Sequence, residues 1–152
     1  MLDTKRHWFK GIERKVGFIF SKFHPNFYTI LSLVFALCGL LFIIKDLIVL
    51  ALIFFILAAG MDFVDGSVAR FRKIDTKKGA YLDTVFDRYV EAIFLFGLLF
   101  LPFPVVIFPS YIWIFLILFG VMMTTYAKSA AKEKELLEGE LKGGIFSRAE
   151  RL

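Results

Sequence analysis

Four aspartates fall in two closely spaced pairs, Asp62-x-x-Asp65 and Asp83-x-x-x-Asp87, within a chain otherwise dominated by apolar residues. Spacings of three and four put both members of a pair on one face of a helix, so two packed helix ends would gather four carboxylates. Four like charges in a partly desolvated place repel strongly, and the usual escapes are protonation or a bound cation. Hard oxygen donors without sulfur or imidazole favour magnesium, manganese or calcium over zinc. Such ions suit phosphoryl transfer, where they polarise a phosphate and neutralise developing charge. Small residues and one cation accompany the carboxylates: Gly66, Ala69 and Arg70 follow Asp65, and Gly79, Asp83 and Asp87 form one helical stripe. Small side chains let a flat ligand or another backbone approach closely. For any one of these residues the plain alternative is a solvated aspartate, or a glycine that serves helix packing. That alternative does not account for four carboxylates on two adjacent apolar segments.

The elements that must position them are long and apolar. Of the 152 residues 59% are hydrophobic, 20 are phenylalanine, and the mean hydropathy is +0.72, above the roughly half-apolar composition of a soluble domain. Four stretches, Phe27 to Ile44, Leu47 to Val64, Thr84 to Leu101 and Val105 to Ala127, each approach the ~20 residues needed to span a bilayer. Lys45 and Asp46 alone separate the first two, and Pro102, Phe103 and Pro104 the last two, which suits tight helical hairpins. Upstream, Trp8, Phe9, Ile12, Val16, Ile19, Phe20 and Phe23 recur at helical spacing among Lys5, Arg6, Lys10, Glu13, Arg14 and Lys15. This predicts an amphipathic helix lying on the membrane surface. Its scattered charges and the lack of a small-residue cleavage site argue against a cleaved signal peptide. The fold class read from these patterns is all-α: a polytopic membrane helix bundle with four spanning helices and an amino-terminal interfacial helix, forming a single domain over residues 1–152.

Charge distribution orients the bundle. Six basic residues precede the first span, five lie between Arg70 and Lys78, and six lie from Lys128 onward, against one and none in the two intervening turns. The positive-inside rule therefore places both termini and the mouth carrying the aspartates in the cytoplasm. A net charge of +5 fits anionic headgroups better than nucleic acid, and no nucleic-acid partner is expected. Cys38 has no partner for a disulfide, and His7 and His24 lack neighbours at ligand spacing.

Taken whole, Asp62-x-x-Asp65-Gly66-x-x-Ala69-Arg70, eight residues, then Gly79-x-x-x-Asp83-x-x-x-Asp87 resembles the signature of the CDP-alcohol phosphatidyltransferase family at every fixed position. The resemblance implies that an acceptor hydroxyl attacks the lipid-linked phosphate of a CDP-lipid, releasing CMP. It implies Asp62, Asp65 and Asp83 as ligands of Mg2+ or Mn2+, and Asp87 as general base and a further metal contact. Asp65, Gly66, Ala69, Arg70 and Gly79 would bind the CDP-lipid. Asn26 and Thr29, in a Pro-Asn-x-x-Thr opening similar to the family's, would join them. The Tyr126-Ala127-Lys128 segment and the ending Phe146-Ser147-Arg148-Ala149-Glu150-Arg151-Leu152 are most similar to the phosphatidylinositol-phosphate and archaetidylinositol-phosphate synthase branch. There Lys128, Arg148 and Arg151 would grip the phosphate of a phosphorylated polyol, inositol 1-phosphate by this reading. Ala130 stands where that branch leads one to expect an arginine, which leaves glycerol 3-phosphate or an archaeal counterpart lipid open. The family is usually homodimeric with six spanning helices, so a homodimer in the lipid bilayer and a truncation at the carboxyl end are expected.

Two readings from other classes compete. An ion or proton transporter could use the same aspartates, but a transport site usually lies near the bilayer midplane on broken helices. A structural membrane anchor explains the hydrophobicity and none of the aspartate spacing.

Overall fold

The computed structural model describes residues 2–74, 76–105 and 107–133. Among them there are five helices and no strand: α1 (Leu2–Ile19), α2 (Pro25–Ile44), α3 (Ile48–Arg72), α4 (Lys77–Leu98) and α5 (Ser110–Glu133). The all-α expectation holds, with a separate amino-terminal helix where the amphipathic pattern placed one. The chain divides into two compact units, Met1–Ile114 and Phe115–Leu152.

Local chemistry sets the ends of the helices in the first unit. Pro25 opens α2, where its missing N–H and fixed φ cost nothing, and His24 in extended conformation caps it, Nδ1 accepting from the Asn26 N–H at 3.4 Å. At the other end Asp46 takes a positive φ of 58°, which reverses the chain tightly enough for α3 to begin at Ile48 and run back along α2. Lys73 closes α3 in the left-handed region, and the Ile74 N–H donates to the Ala69 carbonyl at 3.2 Å, satisfying an otherwise orphaned acceptor. Arg70 and Arg72 in that last turn complement the negative end of the helix. Thr76 caps α4, its Oγ1 accepting from the Gly79 N–H at 3.0 Å.

Among the described residues three helices, α2, α3 and α5, are long and apolar enough to cross a membrane. α4 has comparable length, but Lys77, Lys78, Asp83, Asp87, Arg88 and Glu91 occupy its first part, so its apolar stretch is confined to the remainder. Hydropathy and helix do not share boundaries. α3 runs on from the expected end at Val64 to Arg72, α4 starts at Lys77 rather than Thr84, and α5 starts only at Ser110, after Pro109, rather than at Val105. Proline disfavours the helical region for the residue before it, which accounts for the late start of α5.

Within Met1–Ile114, α2 packs along α3 and against α4, α1 lies against α3, and α3 meets α4 over a narrower contact. Residues buried in α2 and α3 include Ser32, Ala36, Gly39, Ala51 and Ala58, small enough for the two backbones to approach closely, as packing between membrane helices requires. Phe35 and Phe54 meet edge to face at 5.8 Å, and Phe55 and Phe94 do so at 5.0 Å, each such pair contributing roughly 0.5–1.5 kcal/mol beyond area burial. Large apolar side chains such as Val49, Ile53 and Ile56 point outward, an arrangement suited to hydrocarbon rather than water. Near the end of α3 that carries Asp65, Tyr28, Val64 and Val68 form a buried cluster with Val16 and Met61 packed on it. The Tyr28 hydroxyl donates to the Phe20 carbonyl at 2.8 Å, tying the α1–α2 connection to that cluster.

Candidate active site

The start of α2, the end of α3 and the start of α4 enclose a cavity of about 160 Å³. α2 contributes Asn26 and Thr29, α3 contributes Asp65, Gly66, Ala69 and Arg70, and α4 contributes Gly79 and Asp83. Asp65 is only 4% exposed and accepts a hydrogen bond from the Thr29 hydroxyl at 2.6 Å, so its burial is compensated by a short donor. Two of the lining residues are glycines that stand beside polar side chains. A Cβ on Gly66 would stand 3.4 Å from the Arg70 guanidinium, and one on Gly79 would stand 3.1 Å from Thr76 Oγ1 and 4.0 Å from Asn26 Oδ1.

Asp62 of α3 and Asp83 and Asp87 of α4 bring one carboxylate oxygen each to within 4.8 Å of one another. Helices that touch only narrowly thus converge at their carboxylates, a placement that ordinary packing would oppose through like-charge repulsion. The donor set is oxygen only and the oxygens are close enough to share one ion, so it fits a hard divalent cation. The trio occupies a boundary. Asp83 lines the first cavity, whose lining is mixed, whereas Asp62 and Asp87 line a second cavity of about 460 Å³ whose wall is largely apolar, with Phe55, Ala58, Ala59 and Phe94 among its lining residues. Arg88, also on that wall, pairs with Glu91 one turn along α4.

Every residue proposed from sequence for the CDP-lipid site, Asn26, Thr29, Asp65, Gly66, Ala69, Arg70 and Gly79, lines the same cavity. Of the four aspartates, three converge and the fourth stands apart. Asp65 is held by Thr29 and does not join the oxygen cluster of Asp62, Asp83 and Asp87. Lys128 is an exposed residue of α5 in the second unit, and Arg148 and Arg151 lie outside the described residues. Sequence reasoning missed three polar contributors. His24 and Thr76 line the cavity as the caps of α2 and α4. Their positions just before Pro25 and three residues before Gly79 were the available signal. Glu13 of α1 reaches the Arg70 guanidinium at 3.2 Å, and nothing local in the sequence marks that contact.

The sequence is similar to those of several known proteins. A "Bifunctional IPC transferase and DIPP synthase" of Aquifex aeolicus (strain VF5) is 33% identical over 81% of this chain and 29% of its own length. A protein of the same name from Thermococcus kodakarensis is 32% identical over 60% of this chain and 21% of its own. The chain therefore spans less than a third of the proteins bearing that name. An "Uncharacterized protein" of Aquifex aeolicus is 31% identical over 97% of this chain and 74% of its own length. No solved structure matches. Residues 22–142, which contain the cavity, the carboxylate trio and the whole aspartate-glycine signature, match the family described as CDP-alcohol phosphatidyltransferase, and the chain belongs to that family.

Proposed function

We propose that the chain is a metal-dependent phosphotransferase of phospholipid biosynthesis. It would move a phosphatidyl-type group from a CDP-lipid to a phosphorylated polyol, with inositol 1-phosphate as acceptor and CMP as leaving group. The observation that carries this reading is the boundary position of the carboxylate trio, with a cavity of mixed lining, rich in polar side chains, on one side and a largely apolar one on the other. A CDP-lipid has the same division, a nucleotide at one end and hydrocarbon at the other, and its diphosphate is the junction.

Asp62, Asp83 and Asp87 are the carboxylates that would hold Mg2+ or Mn2+, with Asp65 a further donor on the polar side. When bound, the ion polarises the diphosphate and offsets the charge gathering on departing CMP. The cytidine end would occupy the cavity of Asn26, Thr29, Gly66, Ala69 and Gly79, where missing side chains admit it, and Arg70 would give charge-assisted hydrogen bonds to phosphate oxygens. The acceptor hydroxyl oxygen forms the new bond to the lipid-linked phosphorus. The bond from that phosphorus to the oxygen bridging it to CMP breaks, and the hydroxyl proton passes to the Asp87 carboxylate. Lys128, Arg148 and Arg151 would bind the acceptor's own phosphate. The two relatives named IPC transferase and DIPP synthase, one from Aquifex and one from Thermococcus, fall in the inositol-phosphate branch, which supports inositol 1-phosphate over glycerol 3-phosphate. In this reading the enzyme works as a homodimer in the cell membrane, with the site at the cytoplasmic face.

The test is CMP release by the full chain in mixed micelles with CDP-diacylglycerol, Mg2+ and a panel of inositol 1-phosphate, glycerol 3-phosphate, serine and free inositol. Release is expected with inositol 1-phosphate, lost on chelation, and lowered at least about 100-fold by Asp87→Asn while CDP-lipid binding persists. Silence with every acceptor overturns the assignment, and an unimpaired Asp87→Asn variant removes the base.

A further inference from the structure

Arg70 lies at the meeting of two cavities. One is the cavity of mixed lining already described; the other, about 320 Å³, is lined by Glu13 and Arg14 of α1 together with Ser67, Arg70, Phe71 and Lys73. The Arg70 side chain is 54% exposed, and a long side chain with that freedom has many rotamers, most of which direct the guanidinium away from any one ligand. One contact restricts it: Glu13 Oε1 accepts from Nη2 at 3.2 Å. The two terminal nitrogens lie over Gly66, 3.4–3.5 Å from the point where a Cβ would stand, which is ordinary contact distance. No other partner is recorded for the Arg70 guanidinium among the described residues, and since that group carries five donors, most of them are left for another acceptor.

Glu13 reaches this position because α1 is docked, not because it is near in sequence. One turn further along α1, Gly17 packs so closely on α3 that a Cβ there would stand 2.6 Å from Phe71 Cβ and from the Ser67 carbonyl oxygen. Phe18 meets Phe71 edge to face at 6.0 Å. These contacts fix the register of α1 on α3, and that register sets Glu13 against Arg70.

Resting on the proposed reaction, we infer that Glu13 is a positioning residue for the donor: it holds one edge of the Arg70 guanidinium so that the remaining N–H groups serve the diphosphate. The surface helix is then part of donor recognition without touching the donor.

The experiment uses the full chain in mixed micelles, following CMP release against CDP-diacylglycerol concentration and, separately, CDP-diacylglycerol binding by isothermal titration. Glu13→Gln raises KM and the dissociation constant about two- to fivefold, the scale of an exposed ion pair, with kcat unchanged. Glu13→Asp recovers part of the loss. In an Arg70→Ala background Glu13→Gln adds nothing, because the group it orients is gone. An unchanged KM and binding constant in Glu13→Gln overturn the inference. So does tighter binding, which would make Glu13 a competitor of the phosphate, and so does an equal loss with Arg70 absent, which would reduce Glu13 to docking α1. A wild-type chain that binds CDP-diacylglycerol without releasing CMP overturns the reaction instead, and the binding arm still decides the role of Glu13.

Discussion

Asp65 depends on Thr29 more directly than on any other side chain, since the hydroxyl donates to its Oδ2 at 2.6 Å in a place where the carboxylate is 4% exposed. Thr29→Val keeps the shape and deletes the donor. A buried acceptor left short of a partner costs about 1–3 kcal/mol, so the variant should unfold at a lower temperature in detergent, whereas Thr29→Ser should stay near the parent. Equal midpoints for all three would mean that Asp65 finds another donor. The aspartate pairs were legible in sequence because carboxylates at the ends of apolar segments are costly and their spacing reports a helical face. What was not legible is which oxygens meet: Asp65 turns to Thr29 while Asp62 joins Asp83 and Asp87, a choice made by the packing of α2 against α3. Glu13 was illegible for a related reason. A glutamate among lysines and arginines on an amphipathic helix reads as a solvated face until α3 is laid beside it.

Among the elements, α1 offers the cleanest comparison because two of its glycines sit in opposite surroundings. Nothing lies within 4 Å of a Cβ built on Gly11, whereas one on Gly17 meets the backbone and Cβ of α3 at 2.6 Å. Gly11→Ala should therefore raise stability by about 0.5–1 kcal/mol through helix propensity. Gly17→Ala should lower it by about 1–3 kcal/mol, since neither a carbonyl nor a Cβ can yield cheaply. Thermal unfolding of the two variants in the same detergent checks the sign of each. If Gly17→Ala matched Gly11→Ala, the close seat of α1 on α3 would be wrong. Pro25 at the first turn of α2 and Thr76 before α4 are chemical markers of helix starts, whereas hydropathy placed those starts later, at Phe27 and Thr84. Helix ends were not legible, because hydropathy marks the apolar stretch while helical propensity carries α3 through Asp65 to Arg72, where Lys73 takes the left-handed cap. The charged start of α4 hid its first two turns for the same reason.

At the scale of the whole molecule the α2–α3 hairpin makes the side of the membrane that the site faces testable. α2 runs 20 residues from Pro25 to Ile44, about 30 Å at 1.5 Å per residue, and α3 returns along it after the turn at Lys45 and Asp46. That turn therefore lies at the opposite end of the hairpin from Asn26, Asp65 and Arg70. With five basic residues from Arg70 to Lys78 against the single Lys45, the positive-inside rule predicts the cytoplasmic side for the site. In a Cys38→Ser background, which removes the chain's one thiol, Lys45→Cys and Lys78→Cys place reporters on exposed residues near the two ends. Lys45 is preferred to Asp46 because its φ of −92° accepts a cysteine without strain. Removing that lysine only strengthens the charge asymmetry. A membrane-impermeant maleimide added to intact cells should label position 45 and spare position 78, which becomes reactive once the membrane is opened. The reverse pattern would place the carboxylates outside, away from a cytoplasmic supply of CDP-lipid, and would count against both the orientation and the proposed reaction. Labelling of both positions in intact cells would show instead that the hairpin does not span, leaving α2 and α3 without the bilayer that their outward-facing valines and isoleucines require.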